Sequence, residues 1–112
     1  MTPEEIATPN PRTQIRAAIL ARIDAECERQ HNKWGEQNHP DGTDALWTEQ
    51  ANRAKAAYDR AAKAGKLTWL IILREEMFEA FAETDPEALT TELEQVAAVA
   101  TSWVAAIERR GK

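Results

Sequence analysis

A chain of 112 residues has the length of one ordinary domain and can bury a core without covalent staples. Its formal charge of −5, from 19 acidic against 14 basic residues, argues against a nucleic-acid partner, which calls for clustered Lys and Arg. Cys27 is the only cysteine, which excludes an intrachain disulfide framework and fits a reducing cytoplasm. No apolar run approaches the ~20 residues that span a bilayer, so no membrane partner is expected.

Residues 1–12 carry three prolines and no apolar stretch, and they read as a flexible arm, not as a signal peptide. The remainder, 13–112, reads as a single helical domain. Its first helix is predicted from Thr13, as N-cap, to Lys33. Ile15, Ile19, Ile23 and Cys27 recur every four residues, with Leu20 widening the stripe, and Gly35 ends the helix. The loop that follows begins with Trp34 and contains Asn38, His39 and the turn signature Pro40-Asp41-Gly42.

A second helix is predicted from an Asp44 N-cap to Gly65, with a narrow seam of Trp47, Ala51, Ala54, Tyr58 and Ala61. A third spans about Thr68 to Thr84, with Trp69, Leu70, Leu73, Met77, Ala80 and Phe81 on its apolar face. Asp85 caps a fourth, with Pro86 at its first position and Glu87 at the positive end of the helix dipole. Leu89, Leu93, Val96, Ala100, Trp103 and Ile107 form the seam of that helix, and Arg109, Arg110 and Lys112 complement its negative end. No strand pattern remains. The expected fold is all-α, an antiparallel bundle of about four helices completed by dimerisation.

The chemistry is concentrated on the last two helices, in Glu75-Glu76-x-x-Glu79 and Glu92-x-x-Gln95, separated by residues 80–91. Residues three apart on a helix lie about 60° from each other around its axis, so Glu76 and Glu79 share a face, as do Glu92 and Gln95. Both pairs border an apolar stripe, where solvated glutamates do not usually lie. A tight turn at Asp85-Pro86 would bring them together. Converging carboxylates repel unless a cation joins them, and hard oxygen donors suit Mg²⁺ or Mn²⁺. Glu83, Glu94 and Glu108 are assigned to the solvated surface.

These residues resemble the signature of the MazG-like, all-α nucleoside triphosphate pyrophosphohydrolases: E-E-x-x-E, a spacer of this size, then E-x-x-D. The resemblance extends to Glu28-Arg29-Gln30, Lys33-Trp34-Gly35-Glu36-Gln37 and Asn38-His39-Pro40-Asp41-Gly42, similar to the first helix and loop of small phage and actinobacterial members. It continues through Leu93 to Arg110. It implies a dimer or dimer of dimers that cleaves an NTP or dNTP to the monophosphate and pyrophosphate. Glu76, Glu79, Glu92 and Gln95 then match the Mg²⁺ ligands. Glu75 matches the leading glutamate, which either supports the ligands or activates water. Gln95 stands where the family has Asp, so the site loses a charge. That departure leaves a second reading, a catalytically weak nucleotide-binding or regulatory module. For substrate, Arg29 and Lys33 are candidates for the phosphates, Trp34 for stacking on a base, and Asn38 and His39 for hydrogen bonds to it.

Overall fold

The computed structural model describes residues 10–111, so the expected arm at 1–9 lies outside the described residues. Within them the protein is all-α: α1 (Pro11–Trp34), a 3₁₀ turn (Ala45–Trp47), α2 (Thr48–Lys63), α3 (Trp69–Ala82) and α4 (Pro86–Arg110). No strand occurs among the described residues, and none of their helices is long and apolar enough to cross a membrane.

Local chemistry sets the helix boundaries. Asn10, not Thr13, caps α1: its side chain accepts the Thr13 N–H at 2.8 Å, and Pro11 occupies the first position. Asn is the stronger cap, and proline loses nothing where the N–H has no helical partner. Residues 11 and 12, expected in the arm, are therefore helical. Gly35 ends α1 at φ 72°, its N–H bonded to the His31 carbonyl at 2.7 Å.

Asp44 caps the 3₁₀ turn through the Leu46 N–H at 2.8 Å, and α2 begins only at Thr48. Its own N–H donates to the Phe81 carbonyl at 2.9 Å, pinning the loop to the end of α3. Asp85 caps α4 as expected, through the Ala88 N–H, and Thr68, expected as the first residue of α3, is its cap through the Ile71 N–H.

The described residues fall into two compact units. The first comprises 10–39 with 104–111; Ile19 is buried in it, and Arg22 pairs with Glu108. The second, Pro40–Trp103, holds α2, α3 and most of α4. Helices α2 and α3 pack against each other in this unit, and Trp47, Phe78 and Phe81 form an aromatic trio with ring centroids 5.3–5.8 Å apart. Ala54, Ala80, Leu89 and Thr101 are buried there.

Several expected core positions are open. Leu70 is 57% exposed and Leu93 52%; Leu20, Ile23 and Ile107 are exposed as well, and so is Cys27. Helices with apolar residues around much of their circumference have more greasy surface than the neighbouring helices of one chain cover.

Candidate metal centre

The acidic residues converge within the Pro40–Trp103 unit. One donor oxygen from each of Glu76, Glu79 and Glu92 lies within 4.8 Å of the other two, and all three side chains are half-buried. Glu76 and Glu79 come from consecutive turns of α3, Glu92 from the first half of α4. Gln95 completes the group. With its amide nitrogen turned inward it donates to Glu76 Oε2 and Glu92 Oε2, each at 3.1 Å. Glu76 thus meets Gln95 while Glu79 meets Glu92, a register in which α3 and α4 run in opposite directions.

The cluster is electrostatically loaded. Burial, followed by the charge and hydrogen bond of Glu79 and then the charges of Glu76 and Asp59, pushes the Glu75 carboxyl up to about 7. Burial and then Glu79 raise Glu76. Burial likewise leads for Glu92, followed by the charge and hydrogen bond of Glu79 and the charges of Glu76 and Glu83. Glu79 is the common neighbour, contributing to the rise at Glu75 on one side and at Glu92 on the other.

This donor set suits a hard divalent cation. In octahedral Mg²⁺ coordination at about 2.1 Å, adjacent oxygens are about 3.0 Å apart and opposite ones about 4.2 Å. The Gln95 spacing of 3.1 Å matches an octahedral edge, and the three carboxylate oxygens, within 4.8 Å of one another, would have to draw closer around a shared ion. Rotating the Gln95 amide by half a turn replaces an N–H donor with a fourth oxygen ligand. An amide offers both a donor and an acceptor, so one side chain has the chemistry either to bond crowded carboxylates or to ligate a cation without charge.

Sequence reasoning missed two members of this field. Asp59 lies on α2, and only the α2–α3 packing brings its charge to Glu75. Glu83, assigned to the solvated surface, is half-buried, acts on Glu92 and accepts the Asp85 N–H at 3.0 Å. Glu108, similarly assigned, pairs with Arg22, while Glu94 is exposed as expected.

The proposed substrate-binding residues belong to the other unit, where each has a partner close in sequence. Arg29 Nε donates to Glu26 at 2.8 Å, and that hydrogen bond is the main cause holding the Glu26 carboxyl below its ordinary range. The Lys33 ammonium stands 4.9 Å from the centroid of the Trp34 ring, which is 63% exposed. Asn38 donates to Glu36 at 3.0 Å, and His39 Nε2 lies 3.0 Å from Gln37 Oε1.

Fold and site together define an all-α protein with a three-glutamate, one-glutamine cluster carried by two antiparallel helices. No family model matches the chain, nor does any curated protein or solved structure.

Proposed function

We infer that the protein is a metal-dependent nucleoside triphosphate pyrophosphohydrolase of the MazG-like kind, converting an NTP or dNTP to its monophosphate and pyrophosphate. The observation that carries this reading is the convergence of Glu76, Glu79 and Glu92 oxygens with the Gln95 amide across α3 and α4. Mg²⁺ or Mn²⁺ held by these four residues would neutralise charge on the phosphate oxygens at the cleaved anhydride.

The chain's own residues supply the rest. Glu75 adjoins the ligands in sequence, which puts its carboxylate beside a water held by the metal. From there it would act as the base that deprotonates an attacking water. Asp59, whose charge acts on Glu75, helps hold the proton there. Arg29, Lys33, Trp34, Asn38 and His39 remain the proposed contacts to phosphate and base.

Association with further copies of the chain, as a dimer or dimer of dimers, belongs to the same reading. An apolar groove of about 330 Å³ lined by Leu70, Leu73, Met77, Phe81 and Trp103 gives such a partner a surface to cover. A cytoplasmic location fits the single cysteine and a nucleotide substrate.

Pyrophosphate release from a panel of NTPs and dNTPs with Mg²⁺ or Mn²⁺, beside a Glu79→Ala control, tests the activity. Metal-dependent turnover that vanishes in the control is the expected result. The neutral Gln95 favours one second reading, a nucleotide-binding module of low turnover. In that case nucleotide raises the melting temperature of the folded protein while the panel stays flat.

A further inference from the structure

A basic pocket lies on the α2–α3 pair. Helix α2 presents Arg53, Ala54, Ala57 and Arg60 at helical spacing, and α3 presents Arg74 and Phe78 one turn apart. With Gln50 they line an open cleft of about 340 Å³. Ala54 is buried, and Ala57 and Phe78 are half-buried, so the floor is apolar and the small alanines leave the space open.

Three arginines, all exposed, line one cleft of a protein with a net charge of −5, a local excess of cations that suits an anion. The chain supplies little of it. Arg53 donates to Glu49 at 2.6 Å, using part of its donor set. Arg60 and Arg74 have no ion pair or side-chain hydrogen bond among the described residues. Asp59, next to Arg60 in the chain, forms no ion pair with it. Like charges held together without acids destabilise the helices that carry them, and an oxyanion relieves that cost.

Guanidinium is the side chain best matched to phosphate, which it binds through paired N–H donors. A single carboxylate carries one charge, whereas a diphosphate group carries several charges and oxygens to share among the arginines. We propose that this pocket binds a diphosphate group through Arg60, Arg74 and Arg53 without a divalent metal. The group belongs either to free pyrophosphate or to the phosphoanhydride of a nucleotide, whose organic part would lie on Ala54, Ala57 and Phe78. The proposal is independent of the metal reading of the glutamate cluster.

Isothermal titration of the full chain in EDTA, with inorganic pyrophosphate in one arm and ADP in the other, tests it while silencing any metal-dependent site. Saturable binding near one equivalent per chain is expected. Arg60→Ala with Arg74→Ala should weaken it at least about tenfold, the scale of losing charge-assisted hydrogen bonds. Lys55→Ala, outside the pocket on the same helix, should leave it unchanged. Tighter binding of pyrophosphate identifies the free anion as the ligand, and tighter binding of ADP identifies the nucleotide. Arg60→Lys with Arg74→Lys keeps the charge but loses the paired geometry, so it should also bind more weakly. It decides the matter should the alanine variant fail to fold by circular dichroism. No binding of either compound, or wild-type affinity in the lysine variant, overturns the proposal.

Discussion

The Gln95 amide of α4 stands 3.1 Å from Oε2 of Glu76 on α3 and at the same distance from Oε2 of Glu92 on its own helix. A neutral donor thus bridges two half-buried carboxylates across a helix pair. Replacing it with a carboxylate removes both hydrogen bonds and adds a charge to an already crowded cluster. Gln95→Asp is therefore expected to lower the melting temperature in EDTA at pH 7 and to tighten Mg²⁺ binding about tenfold, or about 1.4 kcal/mol. Thermal melts with and without Mg²⁺ check both halves.

The raised carboxyls set a pH dependence. Glu75, Glu76 and Glu92 hold their protons more tightly in the folded chain than in the unfolded one. Their contribution to stability is complete below the ordinary value of 4.5 and is lost as pH rises through about 7, where Glu75 titrates. In EDTA the melting temperature should fall across this window. Metal ligands must be deprotonated, so stabilisation by Mg²⁺ should be larger at pH 8 than at pH 5.5. A melting temperature that climbs from pH 5 to 7.5 in EDTA would contradict the repulsive cluster.

Glu79→Gln isolates the residue that acts on both neighbours. Without its charge, Glu75 and Glu92 return toward ordinary values and the metal-free protein gains stability. At partly exposed sites such repulsion is worth about 0.5 kcal/mol, or about 2–4 °C in a chain of this size. The same variant should lose most of its Mg²⁺-dependent stabilisation. A metal-free protein weakened by this substitution would mean that Glu79 stabilises the fold by some other route.

Asp85 positions the start of α4, because its Oδ2 accepts the Ala88 N–H at 3.0 Å. Asp85→Ala should cost about 1 kcal/mol of stability, the usual loss at an N-cap. Urea denaturation of the two proteins provides the comparison. An unchanged midpoint would show that Pro86 and packing set this boundary without the cap.

The exposed Leu70 and Leu93 are expected to lie against another copy of the chain. Leu70→Glu with Leu93→Lys should shift the molar mass from light scattering toward the 12.6 kDa of one chain. A single-chain mass for the unaltered protein would refute the interface before any substitution is made.

Local features were legible from residue order because their causes act within a few positions. Thr68 and Asp85 each bond an N–H three residues on, Gly35 takes up positive φ, and helical periodicity puts Glu76 beside Glu79 and Glu92 beside Gln95. Even here competition mattered: Asn10 won the first cap over Thr13 because both were in reach and Asn with Pro11 fits the helix start better. The all-α class follows from the same periodicities. Other features were decided only in three dimensions. The charge of Asp59 acts on Glu75 because α2 packs on α3, Glu83 becomes part of the field at Glu92, and Arg53, Arg60 and Arg74 line one cleft. The apolar stripes on α1, α3 and α4 marked greasy faces but not which of them this chain would cover, so Ile19 is buried while Leu70 and Leu93 are open. Capping and periodicity depend on neighbours along the chain, whereas burial, electric field and cavity shape depend on neighbours that packing brings from elsewhere.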